Sequence, residues 1–295
     1  MKTRQYFLIV SAISIAAVFP PFNRARGQAP AVSTSSELYL ELNIPAFRLD
    51  VFEGSNLVRT YSVAVGMPRY RTPVGRFMMR ELTWNPWWYP PPQPWARREK
   101  ITPPGATNPM GKVKLHLSGG FYLHGTPSDK SIGTAGSHGC VRMHQTDAIA
   151  LAKFVQNVTG ATIDDNSMDA LIASWGQTRS VSLPVPPAVQ FVYATAEIRR
   201  DSLLLHPDIY GRNAGSLERV ALSVLAQSQV DTSAIDRAAL RALSRRARKE
   251  HAGILLSALA SNYARAGTIL PARTLRNDGQ NAPMIIPDCG GNSPR

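Results

Sequence analysis

The sequence contains very little cysteine, with Cys140 and Cys289 as its only two thiol-bearing residues. Two cysteines cannot build a disulfide framework, and neither a Cys-x-x-Cys pair nor a His-Glu-x-x-His segment is present, so the usual zinc-ligand spacings are missing. Cys140 lies within SHGCVRM, whereas Cys289 lies in a tail rich in Gly, Pro and polar residues. The sequence favours two unlike thiols and leaves a disulfide between them open.

Acidic residues are also scarce, because 20 Asp and Glu stand against 33 Lys and Arg and give a formal net charge of +13. This balance suits an anionic partner such as nucleic acid, a membrane surface or an acidic wall polymer, and charge alone does not choose among them. The hydrophobic content of 44% excludes a mainly disordered chain. Neither an internal repeat nor a nucleotide-binding Gly-rich loop after a strand is found.

Long hydrophobic runs are missing as well, since the longest apolar stretch falls short of the roughly 20 residues that span a bilayer. That stretch, FLIVSAISIAAVF, follows the basic MKTRQY and precedes small residues at Ala25 and Gly27, as in a cleaved export signal. We predict a signal peptide at 1–27, a linker at 28–36 and export to the periplasm or cell wall, with no stable membrane span after cleavage. An uncleaved anchor is the alternative.

A period-two alternation of apolar and polar residues predicts strands at 37–44, 46–54, 56–66 and 72–82, and two further strands within 112–127. No helical pattern separates them, so a parallel α/β sheet is disfavoured and the domain should be mainly β. A small helix is predicted at 147–158 with Asp147 as its N-cap. Residues 188–270 should be mostly helical, and 271–295 a flexible tail.

Two regions allow more than one interpretation. The proline-rich segment 84–111, with Trp84, Trp87, Trp88, Tyr89 and Trp95, is either a wall over a substrate groove or a loop held down by its rings. The second region is a basic helix face, which either meets an anionic polymer or is simply solvated; it comprises Arg241, Arg245, Arg246, Arg248 and Lys249.

Four of the six histidines fall between His116 and His144 with Cys140 among them, so a metal site and a nucleophilic cysteine both need consideration. A thiol near neutral pH requires a base to activate it, and His124 and His138 are both candidates. Gly139 would let the backbone turn sharply and free amide groups for an oxyanion, while Arg142 could hold a carboxylate. His116 lies in an alternating strand and is more simply a structural histidine.

The segments YLHGTP and IGTAGSHGCVRM together resemble the signature of the YkuD family of L,D-transpeptidases, with His124 preceding Cys140 by 16 positions. The similarity extends over residues 37–163. It implies that Cys140 is the nucleophile, His124 the general base and the carbonyl of Gly125 the third member of the triad. It also implies a substrate-binding set, which comprises Ser137, His138, Gly139 and Arg142.

The resemblance further implies a YkuD-like β-sandwich or open barrel with a small helix as the catalytic domain, at 37–187, and neither a metal nor another cofactor. The expected partners are peptidoglycan stem peptides containing diaminopimelate, with no nucleic acid, and carbapenems would be inhibitors. The reaction would be acyl transfer through a cysteine thioester to a second stem or to another amine. Alternatives are hydrolysis of the same bond by an L,D-carboxypeptidase or endopeptidase, a zinc hydrolase, and a non-catalytic wall-binding protein.

Overall fold

The computed structural model describes residues 37–161 and 163–259. The predicted signal peptide, linker and tail, together with Cys289, lie outside the described residues. Over the described ranges, none of the helices has the length and apolarity needed to cross a bilayer.

A large β-sheet dominates the first part of the described chain. Its strands are β1 (Leu38–Asn43), β2 (Arg48–Glu53), β3 (Asn56–Gly66), β4 (Gly75–Trp84), β5 (Val113–Leu117), β6 (Tyr122–Gly125), β7 (Ala135–Ser137), β8 (Val141–Met143), β9 (Arg179–Ser182) and β10 (Ala188–Val192). The six strands predicted from period-two alternation are β1 to β6, and all are confirmed. Alternate residues of these strands, such as Leu40 and Leu42 of β1, point into one buried core.

The sheet closes on itself, in the strand order β10-β1-β2-β3-β8-β6-β5-β4 and back to β10. Strand β10 pairs in parallel with β1 and antiparallel with β4, so that Phe191 lies opposite both Leu42 and Gly75. The domain boundary predicted after residue 187 is therefore wrong, because without β10 the edge of β1 and residues 75–78 of β4 would be unpaired. The prolines at 184–187 mark the connection from β9 to β10 and not a boundary.

Two helices follow the strands that carry the histidines and Cys140. Helix α1 (Gln145–Val158) packs its buried Leu151 and Val155 into the core, and α2 (Asp165–Ala173) follows it. The predicted N-cap is wrong, because α1 begins two residues earlier with His144 as N-cap and Asp147 in its first turn. A carboxylate there still favours the helix by its position near the positive end of the dipole.

The C-terminal part has its own hydrophobic core, formed by helices and by a small sheet. The helices are α3 (Leu217–Gln227), α4 (Arg237–Arg246) and α5 (Leu256–Leu259), and the strands β11 (Ala196–Arg199), β12 (Ser202–Leu205) and β13 (Ala252–Leu255) pair in that order. The helices confirm the region predicted to be mostly helical, but α4 ends at Arg246 and the strand β13 follows it within that region. β13 forms because it pairs with β12 through residues distant in sequence, which local periodicity does not reveal.

A buried network of ion pairs joins the two parts. Arg48 binds both oxygens of Glu197 at 2.6 and 2.7 Å and also contacts Asp50 at 2.8 Å. Asp50 accepts two further bonds from Arg199 at 2.9 and 3.2 Å, and His206 Nε2 lies 2.9 Å from Glu197. Arg48 and Asp50 belong to β2, whereas Glu197 and Arg199 belong to β11. The network therefore ties the second core to the closed sheet.

We expect the protein to lose stability in acid. Burial lowers the pKa of His251, aided by the charge of His206, and lowers that of His116 to about 3 from an ordinary 6.5. For Glu197, burial raises the pKa, but Arg48 and His206 outweigh it and hold the pKa well below the ordinary 4.5. A group whose pKa is lower in the folded than in the unfolded chain stabilises the fold at pH values above its unfolded pKa. The free energy of unfolding should therefore decrease below about pH 6.5, where the histidines titrate in the unfolded chain, and more steeply below about pH 4.5, where Glu197 does.

Denaturant unfolding at constant ionic strength between about pH 8 and pH 4 measures this dependence. His116→Gln should make the free energy of unfolding decrease less below about pH 6.5, because glutamine does not titrate. A free energy of unfolding that stays constant down to about pH 4.5 would contradict the assignment.

Candidate active site

A cavity of about 440 Å³ opens beside strands β6 and β8. Its walls bring together five of the predicted site residues, His124, Ser137, His138, Cys140 and Arg142. The remaining lining residues come mostly from the proline-rich segment: Trp88, Trp95, Glu99, Thr102, Thr107, Pro109 and Met110. Gly125 and Gly139, the other two predicted residues, contribute backbone next to His124 and Cys140.

His124 is held in β6 and is only 2% exposed. Its Nδ1 lies 2.7 Å from the carbonyl oxygen of Gly125. A carbonyl can only accept, so Nδ1 carries the proton and Nε2 keeps its lone pair. Burial and the charge of Arg142 lower the His124 pKa to about 3, against the opposing bonds to the carbonyls of Gly125 and Pro109. The imidazole is thus neutral near pH 7 and able to accept a proton.

The turn between β7 and β8 places Cys140 at the cavity. Gly139 has φ = 117°, a conformation that residues with a Cβ rarely adopt. Its N–H donates to Ser137 Oγ at 3.1 Å, and the Ser137 hydroxyl donates to the Cys140 carbonyl at 2.5 Å. Both polar groups are thus used within the turn, while Ser137 also lines the cavity, so its expected role toward substrate stays a prediction.

Cys140 is buried, with 4% of its surface exposed, and is the cysteine of the described ranges. Its sulfur is disulfide-bonded, so within those ranges no cysteine is a free thiol. The expectation that Cys140 is a free thiol therefore does not hold for this form of the protein. Any thiolate chemistry at Cys140 requires prior reduction of this bond.

Two aromatic rings enclose His138. Trp95 stacks on its imidazole with ring centres 3.9 Å apart and planes 8° from parallel, and Tyr70 contacts it at 5.0 Å. Burial lowers the pKa of His138, as do the charges of Arg142 and Arg69, while Glu99 acts in the opposite direction. His138 is thus fixed in place as part of the cavity wall, by stacking that a sequence pattern could not reveal.

Arg142 supplies a cation to the cavity. Its Nη1 donates to the Gly136 carbonyl at 3.3 Å, and burial lowers its pKa. Among the described residues, the ion pairs include none between Arg142 and a carboxylate. A half-buried guanidinium without a carboxylate is well suited to bind an anionic group of a ligand.

The proline-rich segment combines the two interpretations that its sequence left open. Trp88 and Trp95 line the cavity, so part of the segment forms a wall of the groove. Asn108 holds the loop by donating to three carbonyls, at 2.9 Å (Pro86), 3.1 Å (Thr102) and 3.0 Å (Pro103). Trp84, in contrast, is fully buried. The wall is therefore braced by backbone contacts and does not depend on its rings alone.

A chain of hydrogen bonds from the C-terminal part reaches the turn that carries Cys140. The Tyr210 hydroxyl accepts from Thr72 N at 3.1 Å and donates to the Gly66 carbonyl at 2.6 Å. Thr72 Oγ1 accepts from Gly66 N at 2.8 Å and donates to the Gly139 carbonyl at 2.7 Å. Thr72 and Tyr210 are 138 positions apart, so no local sequence pattern could connect them to each other or to Cys140.

The other two histidines of the segment 116–144 have ordinary structural partners. His116 Nε2 lies 2.9 Å from Thr83 Oγ1, in agreement with a structural histidine, and His144 pairs with Asp129 at 2.9 Å. Over the described part of the chain, no three His, Cys, Asp or Glu side chains are grouped closely enough to hold a metal ion.

Comparison with known proteins identifies relatives of this region. Residues 37–166 match the YkuD family model, described as the L,D-transpeptidase catalytic domain. The protein named L,D-transpeptidase YkuD in Bacillus licheniformis is 35% identical over 116 residues, which are 39% of this chain and 58% of that protein. The protein of the same name in Bacillus subtilis is 33% identical over 127 residues, which are 43% of this chain and 65% of that protein. The chain thus spans less than two thirds of the length of either relative.

Solved structures with some similarity to this chain include an L,D-transpeptidase from Mycobacterium smegmatis. The identity is 17%, the match covers 53% of this chain and 58% of that chain, and the TM-score is 0.33. Another is the LD transpeptidase LdtMt1 in complex with imipenem, with 18% identity, 53% and 59% covered, and a TM-score of 0.35. The span of the family match includes both His124 and Cys140. Residues 37–166 therefore match the YkuD family of L,D-transpeptidase catalytic domains.

Proposed function

We propose that this protein is a peptidoglycan L,D-transpeptidase that works through a thioester on Cys140. The single observation that carries the proposal is the shared cavity of His124 and Cys140, with His124 Nδ1 bonded to the Gly125 carbonyl. That bond leaves Nε2 of a neutral imidazole as a base, which is what a thiol nucleophile needs. The family match supports the same chemistry.

In the proposed first step, reduced Cys140 transfers its thiol proton to His124 and attacks the carbonyl of the amide between diaminopimelate and the terminal D-alanine of a stem tetrapeptide. The C–N bond breaks, the D-alanine nitrogen takes the proton from His124, and a thioester forms on Cys140. The oxyanion donor is not the Gly139 amide, because that amide is bonded to Ser137. The Arg142 guanidinium is the cation of the cavity and would bind a carboxylate of the diaminopimelate stem.

In the second step, an amine on a neighbouring stem attacks the thioester, releases Cys140 and forms a crosslink between two diaminopimelate residues. Trp88 and Trp95 in the cavity wall favour an amine over water, because they add apolar surface beside Cys140. We further propose that the chain is exported to the periplasm or cell wall, where stem peptides occur, and that its basic composition favours the anionic wall.

Mass spectrometry of the purified, reduced protein with a carbapenem and with a disaccharide tetrapeptide tests the proposal. Wild type and Cys289→Ser should each gain one covalent adduct, and the tetrapeptide adduct should carry the mass of the acyl donor minus D-alanine. Cys140→Ala should gain none. Omitting the reductant should suppress the adduct, because the sulfur of Cys140 is disulfide-bonded.

An adduct that survives in Cys140→Ala would refute the thioester mechanism. Product analysis then separates the outcomes of the second step: a dimer of stem peptides supports transfer, whereas a tripeptide alone indicates hydrolysis by a carboxypeptidase.

We also expect Thr72→Val to slow the acylation step by about tenfold to a hundredfold, because the substitution removes the bond that positions the Gly139 carbonyl beside Cys140. The effect should fall on kcat, with KM little changed, since Thr72 does not line the cavity. Thr159→Val is the matched control: it removes an equally buried hydroxyl, bonded to the Val155 carbonyl in α1, and should leave kcat unchanged. Equal rates in the two variants would contradict a positioning role.

A further inference from the structure

The C-terminal part contains a second concave site, away from the Cys140 cavity. This basic groove, with a volume of about 230 Å³, lies between the start of α3 and the last turns of α4 and is lined by Ser216, Leu217, Glu218, Arg241, Ser244, Arg245 and Arg248. Arg241, Ser244, Arg245 and Arg248 are spaced at three- and four-residue intervals, so they share one face of the α4 region. The adjoining face, with Leu240 and Leu243, is buried in the second core.

The charges in the basic groove are unbalanced. Arg241, Arg245 and Arg248 outnumber the carboxylate of Glu218 and leave a net charge of +2 on the lining. Among the described residues, none of these three arginines is part of an ion pair, whereas the neighbouring Arg246 binds Glu250 at 2.6 Å. Cations concentrated in a groove attract a compact anion of matching charge.

The start of α3 adds hydrogen-bond donors to this charge. Ser216 is the N-cap, and its side chain accepts from Arg219 N at 3.2 Å. The amides of Leu217 and Glu218 belong to the first turn and have no acceptor within the helix. The positive end of the dipole of this 11-residue helix therefore faces the groove that holds the arginines.

Ser244 indicates a ligand independently of the arginine charges and of the helix dipole. It lies in the last turn of α4 and is 8% exposed, and its buried Oγ has no hydrogen-bond partner among the described residues. A buried hydroxyl without a partner is unfavourable, and an alanine would suit this helix position better. A ligand in the groove would provide the missing partner.

We propose that the basic groove binds a phosphate group, held by Arg241, Arg245 and Arg248, the Ser244 hydroxyl and the first amides of α3. A tetrahedral phosphate anion suits the positive net charge of the lining, and its oxygens accept from guanidinium, hydroxyl and amide donors together. The phosphate group could belong to a soluble phosphate ester or to a phospholipid headgroup. The inference does not depend on the proposed function at Cys140.

Titration calorimetry of the full chain with inorganic phosphate, at constant ionic strength set with chloride, tests the proposal. Ser244→Ala should weaken binding about tenfold, while the melting temperature without phosphate stays unchanged or rises. Arg245→Gln should weaken binding at least as much. Arg246→Gln, the matched control, removes the same charge from the same helix outside the groove and should bind like wild type.

Vesicles of phosphatidylglycerol, compared with phosphatidylcholine, separate the two sources of phosphate. Binding to phosphatidylglycerol that Arg245→Gln abolishes assigns a lipid headgroup, and phosphate binding without vesicle binding assigns a soluble ester. The proposal is overturned if phosphate has no saturable effect, if Ser244→Ala binds as tightly as wild type, or if Arg246→Gln loses as much affinity as Arg245→Gln.

Discussion

Glu197→Gln is expected to lower the free energy of unfolding by about 3–5 kcal/mol, the cost of leaving a buried charge without its partner. Both oxygens of Glu197 bind the Arg48 guanidinium, at 2.6 and 2.7 Å, and the side chains of Arg48 and Glu197 are 15% and 7% exposed. An amide would remove the negative charge and put an NH₂ against a guanidinium or against His206. Asp50 would then be the one carboxylate left bound to Arg48.

Urea unfolding of wild type and variant measures this loss from the transition midpoint and slope. Glu250→Gln is the matched control, because its ion pair with Arg246 is 59% exposed on the Glu250 side and should contribute less than about 1 kcal/mol. A loss in Glu197→Gln as small as that of the control would show that the network does not hold the second core to the closed sheet.

His124→Gln is expected to lower kcat/KM for acylation by about 10² to 10⁴, the usual contribution of a positioned general base. Glutamine can still donate to the Gly125 carbonyl, so the backbone contact is preserved while the basic nitrogen is lost. The pKa of His124, which burial and Arg142 lower to about 3, keeps the imidazole neutral in wild type at assay pH. The measurement is the single-turnover rate of D-alanine release from the tetrapeptide by the reduced protein.

His116→Gln is the matched control for this experiment. His116 is a neighbouring histidine with a pKa similarly lowered to about 3, but it bonds to Thr83 and is not part of the cavity lining. It should therefore retain the wild-type rate. A His124→Gln variant as fast as His116→Gln would mean that another group accepts the proton, and His138 would be the next candidate.

Much of the fold follows from local sequence patterns. The alternation in NLVRTYSVAVG predicted 56–66 as a strand, and β3 has those bounds. In a strand with one buried face every second residue is apolar, and this alternation is why β1 to β6 could be predicted from the sequence. Helix α2 was missed, although Asp164 caps it by accepting from Ser167 N at 2.9 Å, because its nine residues carry only a short apolar pattern.

Contacts distant in sequence account for the errors. Strand β10 looked like the start of another region, since prolines precede it, but its pairing with both β1 and β4 closes the sheet. β13 was assigned to a helix because Leu and Ala favour helices locally, whereas its partner β12 lies about 50 residues earlier. A strand's partner supplies half of its hydrogen bonds, and local patterns contain no information about that partner.

The sequence by itself predicted strands β1 to β6, the family resemblance and His124 with Cys140 as the candidate pair, because residue type and spacing carry those features. Only the tertiary structure decided how the pair is arranged: which tautomer Gly125 selects, that Ser137 and Gly139 use their polar groups within the turn, and that Trp95 stacks on His138. It also brought Tyr210 within hydrogen-bond distance of Thr72, and it placed Ser244 in the lining of the basic groove. These features depend on distances between residues far apart in the chain, and such distances exist only once the chain has folded.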